Sequence, residues 1–196
     1  VQIPDSLLNE IEKVDKKGSI DLINHYCYIN RGKFHQDFGL SLMMKNYNDA
    51  KKISYTNGQA FALGNYMFIS FRKSYSAGDG LNNQWRDYLK NGTSLLDKTL
   101  DTLSRFVLLE GLGYIHYAWM EYNDGFKYFY KALDFAKVLS EYRKMISIYS
   151  HISYSYRFLN DHYTAIEYSQ KGIAIAQKYG YNISPLVRYS ADSYIE

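Results

Sequence analysis

Apolar residues recur at helical spacing along most of the chain, with polar breaks at regular intervals. Near the C-terminal end, Ile148 and Ile152 begin an apolar face at four-residue steps, the period of one side of a helix. The pattern breaks just before Asp161 and then resumes. Because an aspartate carboxylate accepts hydrogen bonds from the first backbone amides of a helix, Asp161 is predicted to cap a second helix, which Gly180 ends. The range 143–180 is therefore predicted to be a helical hairpin.

The same pattern occurs 40 residues earlier, over 103–140. Residues at this offset share size and polarity: Leu112 with Ile152, Gly113 with Ser153, Gly125 with Ala165, Lys131 with Lys171, and Ala132 with Gly172. The range 4–100 contains degenerate units of the same kind, and a further helix is expected over 184–196, starting at Pro185. Periodicity of this length is typical of helical repeat arrays. The sequence predicts one all-α domain over 1–196, with about nine helices stacked as consecutive antiparallel hairpins.

Small residues recur where two antiparallel helices would cross closely. A large side chain at such a position would hold the two backbones apart. Gly113 and Ser153 are expected at one crossing of their hairpins, with Gly125 and Ala165 facing them. The residues expected to let the next hairpin dock are Gly92, Ala132 and Gly172.

These residues resemble a tetratricopeptide repeat. The first match is carried by Leu112-Gly113, Tyr122, Gly125, Phe129 and Ala132, and the second by Ile152-Ser153, Tyr156, Ala165 and Gly172. The chain departs from the consensus at His116, Ser169 and Gly172, and the resemblance covers about 103–180. It implies a right-handed superhelix whose first helices line a concave groove. The common repeat has about 34 residues, and the longer period is similar to bacterial sensor and regulator arrays.

The N-terminal segment is similar to one class of those arrays. Residues 4–11, followed by Asp15, resemble the start of the extracytoplasmic region in Bacteroidetes-type regulators. In that class a repeat array precedes a transmembrane helix and a histidine kinase or DNA-binding output domain. The first residue is Val1, so we expect a processed or cut chain from a longer parent. The resemblance implies a periplasmic location, with a cytoplasmic one as the alternative.

Composition excludes several classes of function. Cys27 is the single cysteine, which rules out an internal disulfide framework and a cysteine-based zinc site. The formal net charge of +3 is too small to indicate nucleic-acid binding from charge alone. No run approaches the ~20 consecutive apolar residues that a membrane span needs. The chain has 22 tyrosines, which suit both the packing of helices and aromatic binding surfaces.

Catalytic and metal-binding patterns are missing from the sequence. No histidine stands in an HExxH arrangement, and we find no carboxylate at ligand spacing from His116 or His151, which we interpret as packing or surface residues. Cys27 lies in an apolar helix and is interpreted as a buried, inert thiol. The short segment 78–80 is a predicted turn rather than a phosphate-binding loop. We therefore predict no catalytic residues, metal or cofactor.

The remaining candidate site is a surface for a protein or peptide. If the first helix of each hairpin lines the groove, residues at three- and four-residue steps on that helix share a direction. The residues that meet this condition in the two clear repeats are Glu110, Tyr114, Tyr117, Ser150, Tyr154 and Arg157. Aromatic side chains with one arginine and one glutamate suit an extended peptide or a partner helix. The alternative is that the tyrosines pack against neighbouring helices.

The leading hypothesis is a non-enzymatic sensor or scaffold region of a bacterial signalling or transcription-regulatory protein. It would bind a protein or peptide in the groove, with homodimerisation as a further arrangement. It would not contact nucleic acid directly, and would reach a membrane only through a segment outside this chain. The alternative is a cytoplasmic regulator that responds to a signalling peptide through an attached DNA-binding domain. A third class is an enzyme built on a helical toroid.

Overall fold

A computed structural model describes residues 3–33, 35–77 and 84–182, and within these ranges the chain forms nine α-helices and no strand. The helices are α1 (Asp5–Ile11), α2 (Lys16–Asn30), α3 (Gln36–Lys52), α4 (Thr56–Ala77), α5 (Gln84–Leu96), α6 (Thr102–Ala118), α7 (Tyr122–Val138), α8 (Tyr142–Phe158) and α9 (His162–Tyr179). The predicted all-α class is confirmed. The predicted turn at 78–80 and helix over 184–196 lie outside the described residues.

Consecutive helices pack as hairpins, and the two predicted most clearly are α6–α7 and α8–α9. The backbones of α2, α4, α6 and α8 approach one another in turn, with Cα atoms within 8 Å. In the part of the chain that the structure describes, consecutive helices of the other set, α3, α5, α7 and α9, show no such approach. The even-numbered helices therefore form the tighter row of the stack. None of the helices described is both long and apolar enough to cross a bilayer.

The helix ends confirm the predicted caps. The Asp161 carboxylate accepts a hydrogen bond from the backbone N–H of Thr164 at 3.0 Å at the start of α9. Asp101, which the sequence patterns did not identify as a cap, caps α6 in the same way, accepting from the backbone N–H of Ser104 at 2.7 Å. Gly180 ends α9 in the left-handed region with φ of 70°. Local hydrogen bonds of this kind depend only on neighbouring residues, which is why the sequence predicts them.

One turn geometry recurs after each of the last four helices. After these helices the residues in the left-handed region are Met120, Ser140, Asn160 and Gly180, at intervals of 20, with φ between 56° and 70°, and Ser54 adopts the same region after α3. After each, the next residue donates its N–H to a carbonyl five positions earlier, at 2.8 to 3.0 Å. This closes the last helical turn and reverses the chain. The 40-residue sequence period is therefore two equal helix-and-turn units.

The predicted crossing of small residues in α6 and α7 is confirmed. A Cβ atom added to Gly113 would lie 2.5 Å from the Phe129 ring, and one added to Gly125 would lie 3.4 Å from the Gly113 carbonyl oxygen. In the last hairpin, the Ser153 hydroxyl donates to the Ala165 carbonyl at 2.7 Å. Small side chains at these positions allow the paired helices to approach closely.

A closer crossing joins α4 to α6, and the sequence patterns did not predict it. A Cβ atom added to Gly64 would lie 2.4 Å from the Val107 carbonyl oxygen. One added to Gly111 would lie 2.7 Å from the Gly64 carbonyl oxygen. The backbones of α4 and α6 therefore contact each other directly. This contact stabilises the middle of the even-numbered row.

Candidate functional site

A cavity of about 370 Å³ lies among helices of the even-numbered row. Its lining comes from α2, α4, α6 and the first turns of α8, and consists of Tyr28, Ile29, Phe68, Glu110, Glu141, Arg143, Lys144 and Ser147. Ile29 and Arg143 are exposed, whereas Tyr28 and Glu110 are buried. The cavity therefore has an accessible rim and a buried polar interior.

A buried ion pair lies beside the cavity. Arg31, at the end of α2, forms a salt bridge to the Glu110 Oε2 atom of α6, and both side chains are almost fully buried. The guanidinium also lies 3.9 Å from the centre of the Phe68 ring. Removing two ions from water is expensive, and their attraction offsets this only when further hydrogen bonds satisfy the remaining atoms. Here the Glu110 Oε1 atom has no hydrogen-bond partner.

Tyr28 presents a second buried polar atom at the cavity. Its ring packs edge-on against Phe61 at 5.8 Å, and its hydroxyl has no hydrogen-bond partner of normal geometry. Burial raises the pKa of this hydroxyl, and the negative charge of Glu110 raises it further. Tyr28 therefore stays protonated and can both donate and accept a hydrogen bond.

Lys144 places a cation against the same aromatic rings. Its Nζ atom lies 5.0 Å from the centre of the Tyr28 ring and 5.5 Å from that of Phe68. Burial, and then the positive charge of Arg31, lower the pKa of Lys144 to about 8. Glu110 and Glu141 oppose this shift. The charged ammonium therefore lowers the stability of the folded protein.

Replacing Lys144 by methionine is expected to stabilise the protein at pH 7 by about 1–2 kcal/mol, because a half-buried ammonium is removed while its stem is kept. The pKa of about 8 in the folded state lies below the ordinary value of 10.5. Between these values the unfolded chain binds a proton that the folded chain lacks, so wild-type stability rises with pH across the window. The advantage of Lys144→Met should therefore shrink above pH 8 in urea titrations.

Lys171→Met supplies the matched control, because Lys171 is 44% exposed and pairs with Glu167 on the surface of α9. This control should change stability by under about 0.5 kcal/mol. A Lys144→Met protein that is less stable than wild type at pH 7 would contradict the assigned burial of the charge.

The six residues predicted for the groove fall in three places. Glu110 lines the cavity. Tyr114 is fully buried, stacks on Phe71 at 4.8 Å, and shares a 2.9 Å hydrogen bond with Ser147. Tyr117 is buried beside it, so for both tyrosines the structure favours the packing alternative. The other three, Ser150, Tyr154 and Arg157, are half-buried on α8 and do not line the cavity, and their binding of a partner stays a prediction.

The partners of Glu110 were not predicted from the sequence. Tyr28 and Arg31 lie three residues apart and so share one face of α2, in the degenerate part of the chain where no register was assigned. Lys144 precedes the residues that were compared on α8. The sequence signal that could have identified them is an arginine and a tyrosine, Arg31 and Tyr28, on one side of an apolar helix.

The structure corrects the interpretation of His116. Donor atoms of His116, Glu121 and Asp124 lie within 4.8 Å of one another, so carboxylates do occur at ligand distance. These groups already have partners, because the His116 Nδ1 atom lies 2.8 Å from Glu121, and Lys127 donates to Asp124 at 2.6 Å. The cluster therefore forms a local network of charges and gives no ground for a metal site.

The interpretation of two other residues is confirmed. Cys27 is fully buried, and burial raises its thiol pKa to about 12, which makes the reactive thiolate rare. His151 packs edge-on against Tyr114 and Tyr117, and burial lowers its pKa. Both residues belong to the packing of the helices.

Comparisons with known proteins do not assign the chain to a family. No protein-family model matches it, and no curated protein is similar enough to count as a relative. The internal repeat and the geometry of the cavity are therefore the features that bear on its function.

Proposed function

We propose that this chain is a non-enzymatic, protein- or peptide-binding region of a bacterial signalling or transcription-regulatory protein, with its helices arranged as a right-handed superhelix of the tetratricopeptide type. Two features support this arrangement. The last four helices end in the same turn at 20-residue intervals. The even-numbered helices also approach one another more closely than the others, as expected for the inner row of a curved stack.

The observation that carries the proposal is the polar interior of the cavity in that row. Glu110 and Tyr28 are buried, line the cavity and each have a polar atom without a partner. Buried polar groups in folded proteins are normally hydrogen-bonded, so an acceptor and a hydroxyl without partners, on two residues that line one cavity, indicate a ligand that completes them. A peptide supplies both N–H donors and carbonyl acceptors.

The rest of the peptide would lie along α8. Ser150, Tyr154 and Arg157 are half-buried there, and the Arg157 guanidinium lies 5.4 Å from the Tyr154 ring. A ring and a planar cation together suit an extended peptide. We place the region outside the cytoplasm, as the sensor of a membrane-anchored regulator, because of the N-terminal resemblance. A signal peptide and a transmembrane helix in the full-length protein would support this location, and a preceding helix-turn-helix would support the cytoplasmic alternative.

Selection of a randomised peptide library, displayed on phage, against the purified chain tests the proposal. We expect enriched peptides that bind wild type and bind Lys144→Met at least roughly tenfold more weakly, as for loss of one charged hydrogen bond. Fluorescence anisotropy with the synthetic peptides gives the two dissociation constants.

Lys171→Met on α9 is the matched control and should bind the peptides as wild type does, because Lys171 lies on a different surface from the cavity lining. Failure to enrich any peptide, or enrichment of peptides that bind wild type and Lys144→Met equally, would refute peptide binding at this cavity.

A further inference from the structure

The groups that face the cavity impose opposite requirements on a ligand. Glu110 supplies a buried carboxylate oxygen that accepts hydrogen bonds and has no donor. Lys144 supplies an ammonium that only donates, and it contacts the rings of Tyr28 and Phe68. A ligand that satisfies both must carry a donor and an acceptor at once.

Ligands with one sign of charge fit poorly. An isolated carboxylate would enter beside Glu110 and Glu141, and like charges at short range are unfavourable. An isolated ammonium would enter beside Lys144, with the Arg31 guanidinium over the same two aromatic rings, and would leave Lys144 without an acceptor. Charges of both signs line the cavity, which favours a ligand that carries both a donor and an acceptor.

An α-amino group next to a carbonyl oxygen has this pattern. Its ammonium has three donors, which match the Glu110 oxygen, the Glu141 carboxylate and the Tyr28 hydroxyl. The adjacent oxygen can accept from Lys144. The aromatic rings of Tyr28 and Phe68 provide an apolar wall for the ligand's side chain.

We infer that the cavity binds a free α-amino group with its neighbouring carbonyl oxygen, the ammonium donating to Glu110 Oε1 and the oxygen accepting from Lys144. This chemistry occurs both in free amino acids and in the first residue of a peptide, and only the peptide source depends on the proposed function. The volume of about 370 Å³ is at the small end of ligand sites, so the first residue would fill it and the chain would leave past Ile29, which is 62% exposed.

Isothermal titration calorimetry with three probes distinguishes the sources. The probes are an equimolar mixture of the proteinogenic L-amino acids, a set of tripeptide amides with randomised residues, and the N-acetylated forms of the same tripeptides. We expect binding by the first or the second probe, and acetylation should weaken tripeptide binding roughly tenfold to a hundredfold, because it removes the charged donor. Binding of the amino acids alone identifies a free amino acid as the ligand, and acetylation-sensitive tripeptides identify a peptide terminus.

Two variants locate the ligand without disturbing the Arg31–Glu110 pair. Tyr28→Phe removes one unpaired hydroxyl and should weaken binding roughly twofold to tenfold. Lys144→Met should weaken it roughly tenfold or more, whereas Lys171→Met on α9 should bind as wild type. Circular dichroism of each variant verifies that the helices are intact.

Two results would overturn the inference: acetylated tripeptides that bind as well as the free ones, or unchanged binding in both cavity variants. If library peptides bind whether or not they are acetylated, the inference fails and the proposed function stands. If free amino acids bind and no peptide does, the inference stands and the proposed function fails.

Discussion

Replacing Glu110 by alanine is expected to destabilise the protein by about 3–5 kcal/mol, the range for removing one partner of a buried ion pair. The substitution leaves the Arg31 guanidinium buried without a carboxylate, in contact with the rings of Phe68 and Tyr28 and with a long contact of 3.5 Å to the Asn65 amide oxygen. A guanidinium cannot lose its proton to relieve this, so the full desolvation cost appears in the folded state. Urea unfolding monitored by circular dichroism measures the difference.

Two comparisons separate the buried charge from other effects. Glu167→Ala breaks an exposed pair with Lys171 on α9 and should change stability by under about 1 kcal/mol. The double variant Arg31→Met, Glu110→Leu removes both charges and should regain most of the loss, since buried pairs can be replaced by apolar side chains of similar size. A Glu110→Ala protein as stable as the Glu167→Ala control would show that the pair is not buried as described.

The cavity combines several features that do not favour stability. Glu110 keeps an unpaired oxygen, Tyr28 an unpaired hydroxyl, and Lys144 a charge whose pKa burial has lowered. Leucine or methionine at these positions could pack between the helices without this loss of stability. Retaining polar groups of both signs around one cavity is the pattern expected where binding, rather than packing, determines the residues.

The sequence predicted the fold well where the signals are local. Caps such as Asp161 and stops such as Gly180 depend on hydrogen bonds within a few residues. The crossing of Gly113 and Gly125 followed from an alignment of one hairpin with the next. The recurring left-handed turn was missed because Met120 and Ser140 are not residues that usually adopt a positive φ.

The candidate site was only partly predictable because its residues are distant in sequence. Arg31 and Glu110 are 79 positions apart, and α2 lies where the repeat is too degenerate to align. Helical spacing placed Glu110 and Tyr114 on one side of α6. Spacing predicts which way a side chain points, but it does not predict how deeply that side chain is buried. Tyr114 is covered by Phe71 and His151, which belong to the neighbouring helices α4 and α8.

The largest packing effect is expected at another contact between distant segments. Replacing Gly64 by alanine should destabilise the protein by about 3 kcal/mol, the upper part of the range for overpacking. The new Cβ atom would lie 2.4 Å from the Val107 carbonyl oxygen and 2.7 Å from the Leu108 amide nitrogen. Because these are backbone atoms of α6, no change of side-chain rotamer relieves the clash, and the two helices must separate. At about 2–4 °C per kcal/mol for a chain of this size, the melting temperature should fall by roughly 6–12 °C.

Gly125→Ala is the matched control, because it makes the same glycine-to-alanine substitution at another helical position. Gly125 also lies within a helix, but its added Cβ atom would meet its nearest neighbour at 3.4 Å, an ordinary contact. Since alanine favours helix over glycine by up to about 1 kcal/mol, this variant should be as stable as wild type or more stable. The same preference acts at Gly64, so the difference between the two variants isolates the clash between α4 and α6. Equal melting temperatures for Gly64→Ala and Gly125→Ala would show that these helices are farther apart than described, and the cavity beside them would then have a different shape.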